Sequence, residues 1–517
     1  MKRKSLKRAL CMLSATMLGV VAITGCGTDK SASSQKVLKL GDTTFNAEND
    51  EKSVNPHDGY SGWACIRYGI GETLFKYSKS MELQPWLAKD YKHINDKTWV
   101  IKLKDKIKFT SGRSLDAQAV KECLQDLIKI NERAKGDLKI ASIKAKGLTL
   151  TIRTTESVPA FINYLSDPYG CIIDMKAGEK DRIVAGTGPY KAVSVKTDKG
   201  VSLEKNTSYW NGTPKLDKIE VKTITDGDTL TLSLQSGEIN AAYGLPYNSL
   251  KLFKNEKQYT ISSADTSRTF FGQFNYKTKA LQDKNVRRAI AAAMDKKNYV
   301  SVLLNGNGVV ANGPFTAEST ASDTKVKAIA YNLSNAKKLL EKAGYKDTNK
   351  DGYVDRDGKN LTLRWLTYPS RQELPVLAES MQASLKKIGV KLVITNTASY
   401  QNFLDKGKWD IYGGAFVTAP TGDPEYFFTT HALKASTKNR GGYHSAKLET
   451  LEKQMMKTFD LKKRGALGIQ MAQTILDDQA FVFASHLKMS IVTGSKVTGL
   501  EAHPSDYYEI TANTDIQ

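Results

Sequence analysis

The sequence is short of the residues most catalytic and metal sites are built from. Its 517 residues include five cysteines and six histidines. No two cysteines are spaced C-x-x-C, which removes zinc-ribbon and redox-pair readings. No histidines pair at i, i+4, and there is no H-E-x-x-H, so nothing points to a preformed multi-histidine zinc site. A G-x-S-x-G elbow is absent, as is an S-x-x-K beside a K-T-G. Carboxylates are plentiful, yet nothing sets two of them at glycosidase spacing, which leaves an envelope hydrolase as a remote alternative. The formal charge is +22, but the lysines are scattered. Without an Arg-rich or Gly/aromatic motif, nucleic acid is not an expected partner, and the excess suits a solvated surface near anionic envelope polymers or lipids. No tandem repeat appears. Beyond the N-terminus no apolar run is long enough to cross a bilayer.

What is present begins at the N-terminus. Lys2, Arg3, Lys4, Lys7 and Arg8 form a positive region, and Leu10 to Val21 is an apolar stretch too short to span. Residues 1–25 thus read as a signal peptide. It ends in Ile23-Thr24-Gly25-Cys26, which resembles the lipobox of bacterial lipoproteins. The resemblance implies acylation of Cys26, a palmitate-type anchor to the cell membrane and an extracytoplasmic location. Two acyl chains at roughly 0.8 kcal/mol per buried CH₂ make such an anchor nearly permanent. Residues 26–36 are a small polar tether. Cys65, Cys123 and Cys171 remain, an odd number; one disulfide among them is open, and three small buried hydrophobes are the expectation.

The body reads as mixed α/β. Trp99 to Lys104 and Leu148 to Arg153 alternate in the manner of half-buried strands, and 37–41 and 390–394 read as two more. Helical spacing covers 116–130, 286–304, a segment begun by Ser334 or Asn335 and stopped at Gly344, and 374–388 closed by Gly389.

An ordered set of segments is then telling. It includes Glu72-Thr-Leu-Phe-Lys-Tyr, Leu83-Gln-Pro-Trp-Leu-Ala, the run from Lys97 to Ala117, Gly186-Thr-Gly-Pro-Tyr, Asn206-Thr-Ser-Tyr-Trp-Asn-Gly, Leu234-Gln-Ser-Gly-Glu-Ile-Asn and Asn285-Val-Arg-Arg-Ala-Ile. Together they resemble the family 5 solute-binding proteins, the peptide and nickel receptors of ABC importers, over nearly all of 37–517. The resemblance implies an α/β, two-lobed periplasmic-binding-protein type II fold with an extra subdomain and a ligand cleft between the lobes. Lobe I is expected at 37–270 and 482–517, with 61–184 as the subdomain, and lobe II at 271–481. Gly186, Gly188 and Pro189 suit a crossing between lobes. The chain is expected to be a monomeric, non-enzymatic lipoprotein that closes over a solute and docks on a permease.

Asn55-Pro-His-Asp-Gly-Tyr-Ser-Gly-Trp, Tyr164-Leu-Ser-Asp-Pro-Tyr-Gly and Thr421-Gly-Asp-Pro-Glu-Tyr-Phe-Phe-Thr-Thr-His resemble the nickel or metal-chelate branch. That branch implies a nickel or cobalt chelate, carboxylates met by arginine, aromatic walls and a ligating histidine. A short peptide is the alternative ligand. The residues that fit are Tyr60, Trp63, Arg67, Arg371, Tyr412, Phe416 and Arg440, with His431 as metal ligand. The branch's arginine near Asp167 to Cys171 has no counterpart there. Separately, Asp347, Asn349, Asp351, Tyr353 and Asp355 match the first half of a calcium loop, with Gly358 where its closing glutamate belongs; a solvated Asx-rich turn is the other reading.

Overall fold

The computed structural model describes residues 35–45, 53–79 and 81–517. The signal, Cys26 and nearly all of the tether lie outside these residues.

Two exceptionally long strands organise the chain. Tyr259–Phe274 and Phe481–Gly494 run antiparallel down the middle of an eleven-stranded mixed sheet. On one side of the pair lie Ala241–Tyr243, Val37–Asp42, Lys218–Thr223, Gly200–Lys205 and Tyr190–Lys196; on the other, Ile411–Val417, Thr362–Thr367 and Lys391–Asn396. Each side builds one lobe, and both lobes share the central pair. The pair is not regular. Asp265 faces Lys488 and Thr269 faces His486, so 266–268 bulge against a single residue. A bulge bends a strand and re-aims its side chains, and Arg268 on this one is aimed at the cleft.

A separate four-stranded sheet forms the extra subdomain, in the order Ala88–Asn95, Thr98–Leu103, Thr149–Thr154, Ile140–Lys146. Its alternation is that of the sequence: Trp99, Ile101, Leu103, Leu150 and Ile152 are buried, while Val100 and Lys102 are not. Helix Ala117–Ile130 packs on this sheet through Val120, Cys123, Leu124 and Leu127. Asp116 caps it by accepting from the Ala119 N–H at 2.8 Å.

Several expectations need correction. The stretch 286–304 is not one helix. Helix Lys284–Ala292 closes at Ala293, the Asp295 side chain caps a new turn at Lys296–Asn298, and Tyr299–Leu303 is π-helical. The next helix, Leu333–Lys342, is capped by Asn332, not by Ser334 or Asn335. Gly186 and Gly188 lie against the 69–71 backbone. A Cβ on Gly186 would stand 2.1 Å from the Ile70 carbonyl oxygen, and one on Gly188 2.2 Å from that of Gly69; these glycines let the chain press on the 69–71 backbone where the subdomain returns to the main sheet. The Asp347–Asp355 segment is not a cation cage. Asp355 is buried and accepts from the Thr348 N–H and hydroxyl at 2.8 Å, while Asp351 accepts from Asn360. Among the described residues no three His, Cys, Asp or Glu side chains converge to hold a metal ion. Cys65, Cys123 and Cys171 are free and buried.

One buried ion cluster fixes the loop ahead of His431. Arg464, on helix Leu461–Asp477, donates to Asp423 at 2.7 and 2.6 Å, to Glu425 at 2.6 Å and to two backbone carbonyls. Removing one member of such a cluster strands the others without compensation. Arg464→Leu is therefore expected to cost about 3–5 kcal/mol in chemical denaturation; a loss below about 1 kcal/mol, the range of exposed pairs, would contradict the account.

Candidate functional site: a cationic, aromatic cleft between the lobes

Against the central strands lies a cavity of about 270 Å³. Every cleft residue expected from the sequence lines it: Tyr60, Trp63, Arg67, Arg371, Tyr412, Phe416, His431 and Arg440. They come from different elements. Tyr60 sits in the turn before helix Gly62–Arg67, which carries Trp63 and Arg67. A Cβ on Gly62 would stand 2.5 Å from the Pro168 backbone, so glycine is what lets this helix abut the Asp167–Pro168 turn. Arg371 immediately precedes helix Glu373–Lys386, and Tyr412 and Phe416 lie on strand Ile411–Val417.

The walls are aromatic. Tyr412 stacks on Tyr400, centroids 5.9 Å apart and planes at 14°, and Tyr400 lies 4.8 Å from Tyr368. His431 is 1% exposed, stacked on Phe427 at 5.3 Å and edged by Phe416 at 4.7 Å. Its Nδ1 is buried and has no hydrogen-bond partner among the described residues. Burial, then the charges of Lys438 and Arg440, hold its pKa well below 6.5. The ring is therefore a neutral imidazole, the form that ligates metals.

The cations divide into two groups. Arg67 donates to the Asp506 backbone oxygen at 2.8 Å and has the Asp506, Glu509 and Asp42 carboxylates at 3.1, 3.5 and 3.8 Å. Its guanidinium lies between the Trp63 and Tyr243 rings, at 4.6 and 4.4 Å. Arg268 is taken by Asp506 as well. Arg371 and Arg440 differ: among the described residues neither has a carboxylate within ion-pair distance. Arg371 donates to the Tyr243 hydroxyl at 3.2 Å, and Arg440 donates to Gln401 at 3.2 Å with its Nε unpartnered.

Sequence reasoning missed Arg133. No arginine occurs in 167–171, but one reaches that place from helix Glu132–Leu138. Arg133 grips Asp167 with two hydrogen bonds, at 2.8 and 2.9 Å, between the Tyr60 and Tyr169 rings. No local pattern links positions 34 residues apart, so only the fold reveals the pair. Lys438, with its ammonium 4.1 Å from the Tyr60 ring centroid, and Tyr507 were missed too.

Two sheet halves sharing a strand pair, with a polar and aromatic cleft between them, fit a solute-binding protein. Residues 82–439 match the model for bacterial extracellular solute-binding proteins, family 5 (middle region), and the chain belongs to that family. It is a solute-binding component of an ABC importer. The nickel-binding protein NikA of Staphylococcus aureus is 29% identical over 500 residues, covering 96% of this chain and 97% of NikA. The oligopeptide-binding protein AppA of Bacillus subtilis is 27% identical over 547 residues, covering 99% of each. The structure of S. aureus NikA with Ni(L-His)2 aligns with a TM-score of 0.84 at 28% identity, over 93% of this chain and 100% of that one. That of AppA with a nonapeptide aligns at 0.81 and 22% identity, over 93% and 99%, a likeness of fold alone.

The neutral state of His431 has a measurable consequence. The unfolded chain takes a proton near pH 6.5 that the buried ring refuses, so unfolding gains protons and stability falls as the pH drops below 6.5. NMR titration is expected to show His431 neutral at pH 6; a midpoint at or above 6.5 would contradict the buried geometry.

Proposed function

We propose that this protein captures a small, carboxylate-bearing metal chelate of the nickel or cobalt type and delivers it to an ABC permease. The carrying observation is a neutral imidazole with an unpartnered Nδ1 lining the same cavity as Arg371 and Arg440, two guanidiniums without carboxylate partners. Each guanidinium takes a ligand carboxylate through its planar fork, and His431 adds one nitrogen to a metal whose other donors the chelator brings. Tyr60, Trp63, Tyr412 and Phe416 wall the complex. Arg67 is structural, because its charge is met within the protein.

The relatives include peptide receptors, and the cavity speaks against a peptide here. A peptide brings an ammonium group, and the carboxylate lining the cavity, Asp167, is held by Arg133. The volume also suits a compact complex more than an extended chain. The similarity of the S. aureus protein solved with Ni(L-His)2 supports the same reading.

The proposal extends to the rest of the molecule. The protein acts as a monomer, captures without bond-making, and divides at 270/271 and 481/482, within the shared strands. Acylated Cys26 holds it on the outer face of the membrane.

Calorimetry with the nickel–histidine complex tests the cleft. Arg371→Ala and Arg440→Ala are each expected to weaken binding about tenfold to a hundredfold, the loss of a charge-assisted hydrogen-bond pair, with thermal midpoints unchanged. Wild-type affinity in both variants would overturn the assignment. For the anchor, Cys26→Ala is expected to abolish palmitate labelling and release the protein from membranes; labelling that persists would refute it.

A further inference from the structure

Two residues that do not line the cavity, Tyr243 and Asp506, are joined to arginines that do. Asp506 is fully buried and held at a left-handed φ of +66°, a conformation that costs energy for a residue other than glycine. Its carboxylate accepts from the Tyr243 hydroxyl at 2.7 Å and from Arg268 Nε at 2.7 Å, and Arg67 Nη2 lies 3.1 Å away. It is the hub on which the C-terminal segment meets the bulge of strand Tyr259–Phe274 and helix Gly62–Arg67.

The direction of the Tyr243 bonds follows. A phenol has one proton to donate, and Asp506 accepts it. The oxygen can then only accept from other donors: Arg371 Nη1 donates at 3.2 Å, and Arg67 Nη2 makes a longer contact at 3.5 Å. The Tyr243 ring adds a second restraint, 5.7 Å from the Arg371 guanidinium carbon. One end of the guanidinium is thus tied to a neutral acceptor, and its charge stays open toward the cavity. Had a carboxylate stood where Tyr243 does, Arg371 would be neutralised as Arg67 and Arg268 are.

We infer that Tyr243, oriented by Asp506, is a positioning residue that holds Arg371 in place for a ligand carboxylate and so sets the preference for carboxylate-bearing ligands over their neutral amides. Two features belong together in this arrangement. Asp506, with Asp42 beside Arg67, offsets the charge of the two arginines that would otherwise compete for the ligand. The phenol gives the third arginine a neutral acceptor, and Asp506 adds attraction from beyond ion-pair distance. This inference rests on the chelate reading of the cavity, and it adds a residue outside the cavity wall to it.

The test is calorimetry of wild type, Tyr243→Phe, Arg371→Ala and the double variant against the nickel–histidine and nickel–histidinamide complexes. Tyr243→Phe keeps the ring and removes the oxygen. Wild type is expected to prefer the carboxylate complex about tenfold or more, the scale of one charged hydrogen bond. Tyr243→Phe is expected to lose most of that preference, with the fold retained by circular dichroism and a thermal midpoint lowered by the lost hydrogen bond to Asp506. In the Arg371→Ala background the same substitution is expected to change nothing, the non-additivity of two residues acting as one. A preference unaltered by Tyr243→Phe overturns the inference and leaves the chelate reading standing, and so does an equal loss with and without Arg371. A wild type that takes neither complex overturns both.

Discussion

Buried positive charge without a matching internal negative charge is the constraint around which this protein is arranged. A guanidinium removed from water needs a counter-charge or good acceptors, because the cost of stripping its hydration is large. The fold answers that need for Arg67, Arg133, Arg268 and Arg464, each of which meets Asp or Glu inside the protein. Arg287 is met by four backbone carbonyls, while the half-buried Arg371 and Arg440 in the cleft each keep one neutral side-chain acceptor. What the protein withholds, a ligand must supply, and the arrangement therefore favours a guest carrying carboxylates.

The same logic explains where the cavity lies. Strands Tyr259–Phe274 and Phe481–Gly494 belong to both halves of the sheet, so bending them moves the halves while their shared ladder persists. The bulge at 266–268 and the Asp506 hub sit together at this place, and the wall residues come from both sides of it. Under the proposed reading, closure of the halves is coupled to neutralisation of that charge by the ligand.

Much of this was legible in the sequence, for different reasons. Alternation at Trp99–Lys104 and Leu148–Arg153 and the spacing of Val120, Cys123, Leu124 and Leu127 gave true elements, because burial follows period directly. Tyr60, Trp63, Arg371, Tyr412, Phe416, His431 and Arg440 reach one cavity, but they were found through resemblance to a family; no periodicity marks them. The rest depended on distance in the chain. Arg133 and Asp167, or Tyr243, Asp506 and Arg371, are joined only once the sheet is formed. The 286–304 segment misled because its apolar spacing survives a break that Asp295 makes by capping a fresh turn. Spacing at the Asp347 segment fits half a calcium loop or an Asx-rich turn, and the fold adds that Asp355 and Asp351 accept from Thr348 and Asn360.

The most direct measurement is an anomalous difference map at the nickel absorption edge, from crystals grown with nickel and histidine. The account predicts a single strong peak in the cleft, at coordination distance from a His431 ring nitrogen, with ligand carboxylates on Arg371 and Arg440. A cleft filled by continuous peptide density, or a nickel peak away from His431, would contradict it.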